Sequence, residues 1–289
     1  MHKSGSTIEL KAGDYRAQIV TVGAGLASLT HRGRHIVIPH PPEEMPLAHL
    51  GKVLIPWPNR IANGRYRFNG EMFSPAVNDS VGNAAIHGLL AWQNWQIVEQ
   101  SDIQVTLSAF LPPTYGYPFM LAAEMTYRLD DVSGLSACIL SENIGDVTAP
   151  YGAGVHPYLT CNLQRIDECE LELPTNTIFS VAELTQGVDP HLDFLTRRSI
   201  GTTQIDHTFR LPEHDAPWTV RLTHSPSAMS VWLCASQPWV QIYTGEKLAR
   251  KGLATEPMSC PPDAFNSGID LVLLNPGDTH QLRFSLGGE

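Results

Sequence analysis

The sequence predicts an all-β protein, a large antiparallel β-sandwich that spans residues 1–289 as a single domain. Apolar and polar side chains alternate along many short segments, one segment carries the dipeptide preferred in tight hairpins, and sustained helical periodicity is absent. The 22 prolines and 23 glycines are spread along the chain as turns require, and no repeat, linker or compositional break separates two halves.

The clearest local signal is a hairpin at GRYRFNGEMF, residues 64–73. Tyr66 and Phe68 alternate with two arginines, and Asn69-Gly70 follows at once. Asn-Gly suits a two-residue type I′ turn because both central residues tolerate a positive φ. The segment therefore predicts two short antiparallel strands.

The same alternation predicts further strands in DIQVTLSAF, FMLAAEMTYRL, WTVRLT and QLRFSL. Each has apolar residues at every second position, which is typical of a strand with one face on a core. In the second segment these residues run from Phe119 to Leu129, and in the first they begin at Ile103. A turn or two of helix is expected only in EEMPLAHLGKVL and CPPDAFNSG.

Composition excludes several partners. A formal charge of −10 and the lack of a basic block argue against nucleic acid and anionic membranes. The first residues, MHKSGSTIELKAGDY, lack the apolar core of a signal peptide, and no run approaches about 20 apolar residues, so we expect a soluble cytoplasmic protein. Five cysteines without a Cys-x-x-Cys pair suggest neither a disulfide framework nor a zinc ribbon.

Several familiar catalytic motifs are also absent. TVGAGLAS lacks the third glycine of a dinucleotide fingerprint, and the sequence has no Gly-x-Ser-x-Gly elbow and no phosphate-binding P-loop. Twelve histidines occur, but none belongs to a His-Glu-x-x-His pair or a close-spaced ligand set. We therefore expect no metal and no cofactor.

Six polar residues stand in proline, glycine or aromatic surroundings rather than on a solvated strand face. Glu256 is the most informative, because almost no other charge occurs near it before Asp263 and a buried carboxylate needs a partner or a function. The six segments are IPWPNRIANG with Arg60, GNAAIHGLL with His87, GAGVHPYL with His156, IDHTF with Asp206, WVQIYTGE with Gln241, and ATEPMSCPPDAFN with Glu256.

The context of His156 suggests a side chain that is held in place. Pro157 restricts His156 to extended conformations, and Gly152 and Gly154 allow another group to come close to the backbone. For each of these residues taken singly, a hydrogen-bonded structural role is the more common one.

In this order, the segments resemble those of the aldose 1-epimerase (galactose mutarotase) family. The resemblance covers essentially the whole chain, up to Pro276-Gly277-Asp278. Its motifs are the Asn-Arg-Ile segment before a Gly-Arg-aromatic hairpin, His-Gly after Asn-Ala, His-Pro-Tyr, Asp before an aromatic, Gln-x-Tyr-Thr-Gly, and Glu-Pro with Pro-Asp-Ala-x-Asn.

The resemblance implies a large antiparallel β-sandwich with an open groove for a sugar. It implies that Glu256 is the general base and His156 the general acid that open and reclose a hexopyranose ring, which interconverts the α and β anomers. The remaining residues are implied to hold the sugar hydroxyls. They are Asn59, Arg60, His87, Tyr158, Asp206 and Gln241.

The walls of the groove depart from the family pattern. Leu89 follows His-Gly where a second glycine is usual, and Trp57-Pro58 stands where Tyr-Pro is frequent. Two roles are open for Trp57: it offers a flat face to the sugar, or it is a core tryptophan with a hydrogen-bonded N–H. The family implies galactose or glucose, or a modified hexose such as a sulfonated sugar.

An anionic substituent on the sugar would need a cation, and the sequence offers candidates in TGEKLARKG. They are Lys247, Arg250 and Lys251, although a solvated loop is the simpler interpretation. Two other functions stay open. A sugar-binding module would not need both His156 and Glu256, and a glycoside hydrolase would need two facing carboxylates, which Asp206 and Glu256 could supply.

Overall fold

The computed structural model describes residues 2–212 and 216–289, and their regular secondary structure is almost entirely β-strand. The strands up to residue 143 are β1 (Thr7–Ala12), β2 (Tyr15–Val20), β3 (Gly25–His31), β4 (Arg34–His35), β5 (Val53–Leu54), β6 (Arg60–Ala62), β7 (Tyr66–Phe68), β8 (Glu71–Phe73), β9 (Ala84–Ile86), β10 (Gln96–Gln100), β11 (Gln104–Leu111), β12 (Leu121–Asp130) and β13 (Gly134–Asn143). The later strands are β14 (Ala149–Tyr151), β15 (Gly154–Val155), β16 (Tyr158–Leu159), β17 (Glu170–Glu172), β18 (Thr177–Ser180), β19 (Thr185–Val188), β20 (Arg198–Ser199), β21 (Asp206–Arg210), β22 (Trp218–His224), β23 (Met229–Ala235), β24 (Trp239–Tyr243), β25 (Leu253–Met258), β26 (Val272–Leu274) and β27 (Thr279–Gly288).

Helical segments in the described ranges are single turns, and four of them lie outside the two segments in which the sequence predicts helix. The 3-10 turns are Leu47–His49, Ile166–Glu168, Pro190–Leu192, Ser225–Ser227 and Glu246–Leu248, and the α-helical turn is α1 (Ala264–Ser267). The two expected helical segments thus hold one turn each, at 47–49 and 264–267. Among the described residues, no helix has the length and apolarity to cross a membrane.

Two large antiparallel sheets dominate the fold. One has nine strands in the order β10-β11-β12-β13-β27-β23-β22-β17-β20, and the other has eight in the order β19-β18-β21-β24-β25-β15-β5 with β16 paired to β25. A four-stranded sheet, β1 to β4, and three strand pairs complete the layers. One continuous cluster of buried apolar side chains includes residues of all three larger sheets, which confirms the predicted antiparallel sandwich.

Period-two alternation places the core side chains as expected. Along β12, Leu121, Ala123, Met125, Tyr127 and Leu129 are buried, and the residues between them are half-buried or exposed. Burial of one such large apolar side chain contributes about 1.5–3 kcal/mol. The alternation in sequence therefore specifies which face of the strand meets the core.

The predicted hairpin is present with the expected turn. Tyr66 pairs with Phe73, and the turn residues Asn69 and Gly70 have φ of 48° and 84°. Tyr66 is buried, and the centroid of its ring lies 5.0 Å from that of Phe265 in an edge-to-face contact. This contact holds the hairpin against α1. A positive φ at both central residues is what the type I′ turn requires.

Two strand boundaries differ from the prediction. Ile103 lies in the turn before β11 and is 40 % exposed, because residues 101–103 connect β10 to β11. Phe119 is buried but precedes β12, where it packs against the rings of Phe68 and Tyr117. All five cysteines are free.

Candidate active site

One groove of about 480 Å³ contains all eight residues that the sequence singled out. Three of these eight residues come from the adjacent strands β21, β24 and β25 of the eight-stranded sheet. The eight residues are Asn59, Arg60, His87, His156, Tyr158, Asp206, Gln241 and Glu256. A larger cavity, of about 720 Å³, is lined by Pro174, Trp218 and Pro238 and contains none of them.

Glu256 lies at the bottom of this groove on β25. It stands directly opposite Gln241 of β24 in the strand register, and only 2 % of it is exposed. Burial raises the pKa of the carboxyl well above its ordinary value, and the negative charge of Asp206 raises it further. Oε2 is buried and forms no hydrogen bond with the described residues, so its capacity to accept a hydrogen bond is unused.

His156 is held by its backbone in the link between β15 and β16. Its N–H donates to the carbonyl of Lys52 at 3.0 Å, and its own carbonyl accepts from the N–H of Gly51 at 2.9 Å. Its ring is buried, and Nε2 lies 3.3 Å from Oε1 of Glu256. Burial lowers the pKa of His156 to about 3, with a smaller contribution from His49.

The glycines before His156 serve the protein's own packing. A Cβ on Gly152 would lie 2.6 Å from Sγ of Cys260 and 2.9 Å from Cδ of Pro58, and one on Gly154 would lie 2.9 Å from Cβ of Pro58. The sequence suggested that a group must come close here, and the structure identifies it as Pro58 and the chain that follows β25. The two glycines therefore bring the loop that carries Asn59 against the strand that leads to His156.

His156 and Glu256 are close enough to share one proton. Burial favours the neutral form of each, whereas their separation of 3.3 Å favours a charged imidazolium beside a carboxylate. Both arrangements carry the same single proton, on Glu256 in the first and on His156 in the second. The pair can therefore exchange its charges when a bound ligand carries a proton from one residue to the other.

Asp206 and Gln241 form a fixed polar unit beside Glu256. The Gln241 amide donates from Nε2 to Oδ1 of Asp206 at 2.7 Å, and its Oε1 accepts from the hydroxyl of Thr208. The bond to Asp206 fixes the orientation of the amide, because a flipped amide would set its oxygen against the carboxylate. The unit thus presents a carboxylate at the groove in a single geometry.

Asn59, Arg60 and His87 lie at the ends of two paired strands, since Arg60 begins β6, Asn59 precedes it, and His87 follows β9. Asn59 and His87 have positive φ values of 53° and 63°, and the N–H of His87 donates to the carbonyl of Asn59 at 2.7 Å. Nε of Arg60 donates to Oδ1 of Asn59 at 3.1 Å. A left-handed backbone costs about 1 kcal/mol or more at a residue other than glycine, and such residues cluster at functional sites.

Tyr158 has its hydroxyl group committed within the protein. The hydroxyl donates to the carbonyl of Ala48 at 3.3 Å, and the ring stacks on His156 with centroids 5.1 Å apart and planes 13° apart. The resemblance implies a sugar contact for this residue. In the structure the ring supports His156, and the hydroxyl fixes a turn at the rim of the groove.

The tryptophan in the groove is not the one that the sequence singled out. Trp57 is 2 % exposed, donates from Nε1 to the carbonyl of Ala85 at 3.1 Å and packs against Phe265. It is therefore a core tryptophan with a hydrogen-bonded N–H. Trp92 lines the groove instead and is 38 % exposed. Nothing in AWQNW distinguishes Trp92, because its exposure depends on distant segments.

The three cationic candidates of TGEKLARKG differ in whether they reach the groove. Lys247 lines the groove, whereas Arg250 pairs with Asp167 and Glu246 and is thereby committed elsewhere. Lys251 is exposed and lies outside the groove. Lys247 is therefore the one of the three that a ligand in the groove can meet.

Sequence reasoning missed several residues of the groove, and His49 is the one it had means to find. His49 lies in the proline-rich segment 39–50, the same kind of context that identified the other site residues. The other missed residues that line the groove are Met45, Pro46, Leu47, Ala48, Asn78, Asp79, Ile86, Trp92 and Tyr243.

Comparison with known proteins indicates the family and the fold of the chain. The sequence profile of the family described as aldose 1-epimerase matches residues 6–287. The chain is 57 % identical to the Escherichia coli protein YihR over 295 residues, which covers 100 % of this chain and 95 % of YihR.

Solved structures share the fold at low identity. The GalM/aldose epimerase homologue of C. elegans has a TM-score of 0.87 at 20 % identity, with 98 % of each chain covered. Galactose 1-epimerase of Lactobacillus acidophilus has a TM-score of 0.83 at 17 % identity, with 98 % of this chain and 94 % of that chain covered. With the profile match over almost its full length, the chain belongs to the aldose 1-epimerase family.

Proposed function

We propose that the protein is a mutarotase, an isomerase that interconverts the α and β anomers of a hexopyranose. The observation that carries the proposal is the buried pair of Glu256 and His156, with Oε1 and Nε2 3.3 Å apart in a polar groove. The proposal assigns Glu256 as the base and His156 as the acid.

The short separation suits this reaction because of where the two reacting oxygens lie. In a pyranose, the C1 hydroxyl and the ring oxygen are both bonded to C1, so they lie side by side. A base and an acid that are neighbours can each reach one of them without moving apart. Acid–base catalysis requires hydrogen-bond reach to the transferred protons, about 2.6–3.2 Å.

Ring opening then moves one proton through the sugar. Glu256 takes the proton of the C1 hydroxyl while His156 gives one to the ring oxygen, and the bond from C1 to the ring oxygen breaks. The open chain now has an aldehyde at C1 and a hydroxyl at C5. The protein is left with a protonated Glu256 and a neutral His156, the arrangement that burial favours.

Ring closure reverses these transfers on the other face of the aldehyde. The aldehyde group turns about the C1–C2 bond, His156 removes the proton of the C5 hydroxyl, and Glu256 returns a proton to the C1 oxygen. The pair regains its starting charges, so no proton is gained or lost over one turnover. The low dielectric of a buried site strengthens the hydrogen bonds that guide both transfers.

The other polar residues would hold the sugar hydroxyls. Asp206 accepts hydrogen bonds, Arg60 donates them and Asn59 can do both, which matches hydroxyl groups that are donors and acceptors. His87 has a buried Nδ1 with no hydrogen bond to the described residues, and that atom needs a partner. Asp206 and Arg60 are fixed in turn by Gln241 and Asn59.

The substrate is proposed as galactose, glucose or a modified hexose such as a sulfonated sugar. Lys247 and Arg60 are the two cationic side chains among the described residues that line the groove. Either could pair with an anionic substituent, because charge-assisted hydrogen bonds are about twice as strong as neutral ones. The panel of sugars in the experiment below separates these substrates.

The two alternative functions find less support in the geometry. A binding module has no need for a buried acid–base pair, which is costly to keep. Here the Glu256 carboxylate lies 3.3 Å from the His156 imidazole, and the Asp206 carboxylate accepts a hydrogen bond from Gln241. A glycoside hydrolase would place two carboxylates across the scissile bond.

Exchange spectroscopy by NMR tests the proposal. Saturation transfer between the α and β anomeric protons is measured for galactose, glucose and a sulfonated hexose, with the protein and with buffer alone. We expect exchange well above the buffer rate for at least one sugar. If no sugar exchanges faster than in buffer while binding is observed, the protein is a sugar-binding module and the proposal is wrong.

A further inference from the structure

The groove contains a third histidine, His49, beside His87 and His156. The acid–base mechanism does not use it. His49 is half-buried, and its ring centroid lies 4.5 Å from that of His87, 5.4 Å from that of Trp92 and 6.2 Å from that of His156. It therefore contacts the groove on the side of the catalytic imidazole.

The backbone at this position is strained and firmly held. Ala48 and His49 have consecutive positive φ values of 49° and 54°, which is unusual for residues other than glycine. The carbonyl of Ala48 accepts from the Tyr158 hydroxyl, and the carbonyl of His49 accepts from the N–H of Lys52 at 3.0 Å. A strained turn persists only when its surroundings fix it, and here they fix the place of an imidazole.

The side chain of His49 forms no hydrogen bond with another described residue, although the ring lines the groove. Burial lowers its pKa to about 4, and the charges of Lys247 and Lys52 act in the same direction, so the ring is neutral near pH 7. A neutral imidazole offers one N–H donor and one nitrogen acceptor. That combination suits a sugar hydroxyl, which also donates one hydrogen bond and accepts others.

We infer that His49 binds one hydroxyl of the sugar beside the acid–base pair and so sets which sugars the groove accepts, with Tyr158 as the residue that positions it. This inference rests on the proposed function, because it assumes that the groove holds a sugar. His49 acts in binding the ring and takes no part in proton transfer. Its loss should therefore raise KM and leave kcat nearly unchanged.

The test uses substitutions that fit the left-handed backbone. His49→Gly removes the imidazole without adding strain, and His49→Asn tolerates the same backbone and keeps a donor and an acceptor. We expect His49→Gly to raise KM about three- to tenfold, as for the loss of one hydrogen bond, with kcat within about twofold. His49→Asn should restore part of the lost affinity. Tyr158→Phe alone should raise KM less than His49→Gly does. In the double variant, Tyr158→Phe should add little to the KM increase that His49→Gly causes.

Deoxy sugars identify the hydroxyl. For the sugar that lacks the hydroxyl bound by His49, the wild type and His49→Gly should have the same KM, while other deoxy sugars keep the difference. An unchanged KM in His49→Gly, or a fall in kcat that is equal for every sugar, overturns the inference and leaves the proposed function standing. If the wild type catalyses no exchange, the proposed function fails instead, and ligand-observed NMR titration of both proteins still reports whether His49 contacts a sugar.

Discussion

Replacing Glu256 with glutamine removes the proposed base and keeps the shape of the side chain. A positioned general base contributes about 10²–10⁴-fold to the rate, or about 2.7–5.4 kcal/mol of barrier. Among the described residues, the groove holds two other carboxylates, Asp206, which the Gln241 amide engages at 2.7 Å, and Asp79, which accepts from the N–H of Gly82 at 3.1 Å. A substitute base is therefore poorly placed, and we expect kcat to fall by about 10³-fold or more.

Exchange spectroscopy on the wild type and Glu256→Gln measures this fall for the best sugar. A ligand-observed titration should show that sugar binding changes much less than kcat, because the amide keeps hydrogen bonds to the C1 hydroxyl. A fall in kcat of less than about tenfold, with the variant folded, refutes the assignment of Glu256 as the base.

Stability gives an independent check on the same substitution. Because burial raises the Glu256 pKa, the folded protein holds this proton more tightly than the unfolded chain does. The stability gained from that proton is full below the ordinary pKa of 4.5 and is lost as the pH rises through the raised value. Glutamine does not titrate, so the melting temperature of Glu256→Gln relative to wild type should increase from pH 4 to pH 8. If the melting temperature of Glu256→Gln minus that of wild type decreases over this range, burial does not raise the Glu256 pKa.

Three further predictions follow from single contacts. Because the active pair holds one proton, the rate should fall at acidic pH, where the pair takes up a second proton, and at alkaline pH, where it loses the one it shares. Asp206→Asn removes a charge that raises the pKa of Glu256, so the alkaline fall should move to lower pH; an unmoved alkaline limb contradicts this coupling. Gly152→Ala should lower the unfolding free energy by about 1–3 kcal/mol in denaturant titration, because the new Cβ would lie 2.6 Å from a buried cysteine sulfur, whereas Gly187→Ala, with nothing within 4 Å, should have almost no effect. Trp92→Ala should raise KM about three- to tenfold while Trp92→Phe keeps most of the affinity, and equal KM values for all three proteins would exclude a ring contact with the sugar.

Much of the fold follows from the sequence because strand signals are local. Asn69-Gly70 requires only its own two backbone conformations, and the alternation from Leu121 to Leu129 requires only one buried face. Sheet order is not local, since β27 lies between β13 and β23 and no short pattern encodes that pairing. The boundary at Ile103 was wrong for a related reason, because an apolar residue in a turn continues the alternation without belonging to the strand.

The site residues were found through their unusual surroundings and the resemblance to a family, and the structure brings all eight together. Their mutual geometry could not be predicted. The direct contact of His156 with Glu256 depends on β15, β16 and β25, which meet only through tertiary structure.

Side-chain direction also lies beyond a single sequence. Tyr158 points its hydroxyl at Ala48, and Trp57 is in the core because Phe265 covers it. His49 had the same proline-rich context as the other site residues. It was overlooked because no family motif includes it.

A crystal structure of Glu256→Gln with its sugar tests the central claim most directly, since this variant should bind the substrate and turn it over slowly. The account predicts the C1 hydroxyl within hydrogen-bond distance of the residue 256 amide and the ring oxygen within reach of Nε2 of His156. A sugar bound with C1 turned away from both residues would contradict the proposed mechanism.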